Sequence, residues 1–151
     1  MTVAARFYGS LPADRVECRF SLRDSERLKQ LFAIAIGGAV GAVLRFWVST
    51  AVYAGLGRGF PFGTLAVNVL GSLIMGLLYV WLIERLALDD IWRMGMLVGV
   101  LGAFTTFSTF SIETVNLIEG GQAWKAGLNM IASVASCVLA AWAGVMLGRQ
   151  L

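Results

Sequence analysis

Gly102-Ala103-Phe104-Thr105-Thr106-Phe107-Ser108-Thr109-Phe110-Ser111 interrupts an otherwise apolar stretch, about Met94 to Ile118, and its reading decides the fold. Hydroxyls and aromatic rings stand there at what would be membrane depth. A helix that only faced lipid has no use for them. Glycine followed by the β-branched pair Thr105 and Thr106 is also a weak point for helix continuity, since glycine frees the backbone and β-branching stiffens χ1. Broken helices inside a membrane are tolerated where they line water or protein. The run predicts a membrane helix interrupted near Gly102 to Thr106.

Three further apolar stretches surround it. The first, about Leu31 to Ala54, carries one charge, Arg45, preceded by Gly37, Gly38, Gly41 and Ala42. Gly37 and Gly41 form a GxxxG pair, a spacing that lets helix backbones approach closely and so reads as a packing face. A turn with Gly55, Gly57, Arg58, Gly59 and Pro61 leads into the second, about Phe62 to Ile83, which ends at Glu84 and Arg85. Thr64, Asn68 and Ser72 stack there at i, i+4 spacing on one face. The fourth, about Ala123 to Leu147, puts Asn129, Ser133 and Cys137 on one face and ends with a Gly144/Gly148 pair. Each stretch exceeds the ~20 apolar residues that a spanning helix needs.

Composition agrees. The chain has 151 residues, 58% hydrophobic and only 14% charged, with a mean hydropathy of +0.78, which is outside the soluble balance. An all-α integral membrane protein with four transmembrane helices follows. The net charge of +3 is dispersed rather than clustered, so no nucleic-acid partner is expected. Histidine is absent, which removes the commonest general base and most zinc sites. The chain does not read as an enzyme. Cys18 and Cys137 fit neither a disulfide framework nor a metal spacing.

Residues 1–29 differ from the rest. They alternate charge with small polar residues and lack the apolar core of a signal peptide. They read as a mobile or marginally helical tail, or as a start-site artefact in which translation begins near Leu28. Arg6, Arg15, Arg19, Arg23 and Arg27 would bias this end to the cytoplasm.

Amide and hydroxyl groups lining a path supply hydrogen-bond donors without fixed charge, which suits a small, strongly hydrated anion that must shed water. Phe107 and Phe110, three apart, share a helix face, and an aromatic edge carries the positive part of the ring quadrupole. Packing alone is the plainer account of two membrane phenylalanines. Arg45 and Glu113 lie inside segments, at a cost of ~2.5–3.5 kcal/mol for such a charge at mid-bilayer. Each should face a vestibule or a partner, and pairing of Glu113 with Arg45 is one such arrangement.

Over nearly all of Leu31 to Leu147 the chain resembles the Fluc fluoride channels, also called CrcB. The resemblance is carried by Gly37-Gly38-Ala39-Val40-Gly41-Ala42 with Arg45-Phe46, by Gly63-Thr64-Leu65-Ala66-Val67-Asn68-Val69-Leu70-Gly71-Ser72, and by Gly99 through Ser111 with Glu113. It implies a dual-topology antiparallel homodimer in the cell inner membrane that lets cytoplasmic fluoride leak out and relieves its toxicity. Asn68 would be the pore amide and Phe107 and Phe110 the pore aromatics. Ser108, Thr109, Thr114 and Ser133 would extend the fluoride pathway, with Arg45 and Glu113 at a vestibule. A central Na⁺ would be held by the carbonyls of Gly102 and Thr105 from both subunits. Asn129 stands where many members carry an aromatic.

Two other readings compete. A small multidrug-type four-helix exporter has the same size, but proton-coupled export needs an intramembrane carboxylate, and the first helix offers Arg45 instead. An accessory subunit without transport leaves the polar stripes without purpose.

Overall fold

The apolar stretches become helices because lipid offers the backbone no hydrogen-bond partner, so each segment must satisfy its own N–H and C=O groups. The computed structural model describes residues 13–85 and 89–151, with side chains from residue 25 onward. Helix α1 is Ala13–Leu56. Helix α2, Phe62–Tyr79, continues into a π-helical turn over Val80–Arg85. Helix α3 starts at Asp90–Arg93, widens to π geometry over Met94–Leu101 and ends with Gly102–Phe104. Helix α4 is Phe107–Glu119 and α5 is Ala123–Gln150. Among the described residues no strand occurs.

Four stretches are long and apolar enough to cross a membrane: Ser25–Leu56, Phe62–Arg85, Asp90–Glu119 (α3 with α4) and Ala123–Gln150. The second and fourth begin at the residues that the sequence marks, Phe62 and Ala123. The third starts earlier than the apolar pattern, at Asp90, because a charged first turn fits a helix end at the polar interface. Left-handed Gly57 and Gly121, with φ of 78° and 71°, make the turns at one end of the bundle. There Lys125 Nζ donates to Gly59 O at 3.1 Å. At the other end Arg149 donates to both oxygens of Glu84, at 3.0 and 3.4 Å.

Glycine sets the helix spacing. A methyl at Gly37 would overlap the Gly95 carbonyl and one at Gly41 the Val100 carbonyl, so α1 lies backbone to backbone on α3. Gly76 against Ala141 and Gly144 against Leu73 do the same for α2 and α5. Both GxxxG pairs are thus packing faces. Residues 1–12 lie outside the described residues, so the expectation of a mobile tail or a start-site artefact falls partly on them. From Ala13 the helix runs unbroken into the first span.

Candidate functional site

Between α3 and α4 the backbone leaves helical geometry. Thr105 (φ −77°, ψ 156°) and Thr106 (φ −151°, ψ 115°) are extended. The Asn68 side chain meets Thr106 there in a reciprocal pair: Nδ2 donates to Thr106 O at 3.0 Å, and Thr106 N donates to Asn68 Oδ1 at 2.8 Å. An asparagine amide thus imitates a strand partner. The Thr106 hydroxyl accepts from Thr109 N at 3.3 Å and caps the start of α4. Gly71 makes the approach possible, since a methyl there would overlap the Thr105 side chain.

Around this point lies a cavity of about 390 Å³. Asn68 and Ser72 from α2, Thr105 and Thr106 from the extended residues, Phe107 and Phe110 from α4, and Ser133 and Cys137 from α5 line it, and among the described residues no charged side chain does. The two rings lie 5.2 Å apart between centroids and tilt by 43°. Phe107 is 76% exposed and Phe110 buried.

Two more cavities continue the row. Thr106 also lines a cavity of about 270 Å³ with Arg45, Ser49, Tyr53, Thr64, Thr109 and Glu113. Tyr53 and Glu113 in turn line a third, about 280 Å³, beside Arg58, Phe60 and Asn116. The Tyr53 hydroxyl donates to Glu113 Oε1 at 2.8 Å, while Glu113 Oε2 is buried without a hydrogen-bond partner among the described residues.

A family described as CrcB-like protein, Camphor Resistance (CrcB), matches residues 32–145. The chain belongs to the CrcB-like family. It is 56% identical over 121 residues to the fluoride-specific ion channel FluC of Methylococcus capsulatus, a match that covers 80% of this chain and only 53% of that longer one. It is 56% identical over 120 residues to FluC of Magnetococcus marinus and 49% identical over 121 residues to FluC of Geobacter sulfurreducens, in each case covering 98% of the relative. With four apolar helices and these relatives, the chain is a multi-pass membrane protein.

In this CrcB-like chain the residues singled out from sequence fall into three groups. Asn68, Thr105, Phe107, Phe110 and Ser133 meet in the first cavity, and Arg45, Thr109 and Glu113 in the second. Thr114 is buried off the cavities: its hydroxyl donates to Phe110 O at 2.7 Å and accepts from Asn129 Nδ2 at 2.9 Å. Ser133 Oγ donates to Asn129 Oδ1 at 3.3 Å, so Asn129 ties α4 to the polar face of α5. Ser108 and Gly102 lie on the exposed surface, with Ser108 Oγ 3.3 Å from Thr106 Oγ1. The pairing of Glu113 with Arg45 is not found. The two share a cavity, but Tyr53 is closer to hand and takes the carboxylate. The sequence did not single out Tyr53, and it marked Thr106 only as part of the helix interruption. The signal for Tyr53 was present, because Arg45, Ser49 and Tyr53 follow one another at i, i+4, i+8 on α1.

Proposed function

We propose that this chain is a fluoride-selective channel that releases cytoplasmic fluoride down its electrochemical gradient. The observation that carries the reading is the uncharged lining of the largest of the three cavities. Asn68, Ser72, Thr105, Thr106 and Ser133 offer amide and hydroxyl groups there, beside two aromatic rings. Such groups replace hydration water around a compact anion without fixing it by charge. The helix dipole adds a partial positive charge where α4 begins, next to Thr106. Arg45, in the adjoining cavity, raises the local anion concentration. The row of three cavities joined through Thr106 and then through Tyr53 and Glu113 is the proposed permeation path. The names of the relatives support fluoride as the ion.

The working unit is proposed to be an antiparallel homodimer in the inner membrane. A Na⁺ ion would be held at its centre by the carbonyls of Gly102 and Thr105 of each copy. The local bonding fits this. In a continuous helix Thr106 N would serve Gly102 O, and Thr109 N would serve Thr105 O, but these amides are spent on Asn68 Oδ1 and on Thr106 Oγ1. The carbonyls are freed for a hard monovalent cation, which would supply a fixed positive charge to pin the two breaks together. The exporter reading is not favoured, since Glu113, the carboxylate that it requires, is tied to Tyr53 and lies outside the cavity that holds Asn68, Phe107 and Phe110.

Fluoride efflux from proteoliposomes, followed with a fluoride electrode and with chloride as the control, tests the reading. Fluoride should pass and chloride should not. Equal efflux of the two removes the selectivity.

A further inference from the structure

Tyr53 is held from four sides. The amide of left-handed Gly57 donates to its carbonyl at 3.0 Å. Gly63 leaves the slot in which the ring lies, since a methyl there would overlap it. The Arg58 guanidinium stands over the ring, 5.5 Å from its centroid. The hydroxyl lies 3.5 Å from Thr64 Oγ1 and donates to Glu113 Oε1 at 2.8 Å. So fixed a donor, facing the one carboxylate on the cavity row, calls for a reason beyond packing.

The carboxylate supplies it. Glu113 has one oxygen bonded to Tyr53 and one, Oε2, buried with no partner among the described residues, and an unpaired buried acceptor is strongly driven to find a donor. Its cavity offers several: the Arg45 guanidinium and the hydroxyls of Thr64, Thr106 and Thr109. These are the groups that a passing anion would also use. We propose that Tyr53 is a positioning residue for Glu113: its hydroxyl pins the carboxylate to the wall shared by the second and third cavities and keeps it from occupying the donors inside. The proposal rests on the reading of the cavity row as the fluoride path.

Tyr53→Phe removes the donor and leaves the ring in its slot. Fluoride efflux should fall about tenfold, the scale of one hydrogen bond to a charged group. If Tyr53 acts through Glu113, the same change made in a Glu113→Ala background should cost less than about twofold. The infrared carboxylate band that disappears in Glu113→Ala should also shift in Tyr53→Phe. Native efflux by Tyr53→Phe beside a slow Glu113→Ala overturns the role of Tyr53 and leaves the path standing. Equal losses in both backgrounds overturn it as well, because Tyr53 would then act on its own. Near-native efflux by Glu113→Ala beside a slow Tyr53→Phe supports the pinning, because deleting the carboxylate also leaves the donors free, whereas native efflux by both single variants and the double variant removes this stretch of the path and the proposal with it. If Glu113→Ala passes too little fluoride to measure, the band decides: a shift supports the pinning, and an unmoved band overturns it.

Discussion

Asn68 holds two tasks that sequence alone separates poorly. Its place in a Thr64, Asn68, Ser72 stripe marks it as a polar residue turned from lipid, and the family resemblance makes it a pore amide. The structure adds that one Nδ2 hydrogen and Oδ1 are committed to Thr106, which leaves one amide hydrogen for the cavity. Asn68→Asp separates donor from acceptor at nearly constant shape. The aspartate still accepts from Thr106 N, but its second oxygen faces the Thr106 carbonyl, two acceptors without a proton between them. We expect fluoride efflux to be lost and the protein to be destabilised by about 1–3 kcal/mol, the cost of a buried group left unsatisfied. Efflux and thermal unfolding in detergent check the two parts, and normal efflux by a folded Asn68→Asp protein would sink the assignment. Tyr53 was harder to read because a phenol near a helix end is ordinary at a membrane interface. Only its distance from Glu113, sixty residues on, gives it meaning.

At the scale of helices the sequence was more legible, since hydropathy and turn residues mark a membrane helix without help from tertiary contacts. The Phe62 start came from the turn that ends at Pro61, and the Ala123 start from the onset of a long apolar run. The π-helical geometry of Val80–Arg85 and Met94–Leu101 was not readable, because it reflects how a helix accommodates its neighbours rather than any residue type. Glycine gives a sharp test of the packing. Gly37 and Gly38 are adjacent on α1, yet a methyl at Gly37 would overlap the Gly95 backbone, whereas one at Gly38 meets only Ala103 Cβ at 4.0 Å. Backbone cannot give way as a flexible side chain can. Gly37→Ala should therefore lose about 1–3 kcal/mol from overpacking. Gly38→Ala should be neutral or gain up to about 1 kcal/mol of helix propensity. Unfolding temperatures of the two variants, compared in one detergent, read the difference. Equal behaviour would mean that α1 does not lie on α3 as described.

For the whole molecule, exposed apolar surface says little about a partner, since Trp47, Ile131 and Trp142 are exposed in the manner of any lipid-facing residue. The polar features decide. Gly102 and Ser108 are exposed next to a helix interruption whose carbonyls have lost their helical amides, and lipid cannot satisfy such groups. The proposed second copy, with the cation between, would. Gly102 allows a test that touches only the assembly: a methyl there meets nothing in its own chain nearer than Leu97 O at 3.8 Å. A larger side chain therefore has room within one chain and none at the proposed contact between two copies. Gly102→Leu should fold, as judged by thermal unfolding, but its mass in detergent should drop from two chains to one and its fluoride efflux should vanish. Gly127→Leu is the control, for that glycine also faces open space but lies near the start of α5, away from the interruption. It should keep the mass of the parent protein. A dimeric, active Gly102→Leu protein would move the contact between copies elsewhere and take the shared Na⁺ site with it.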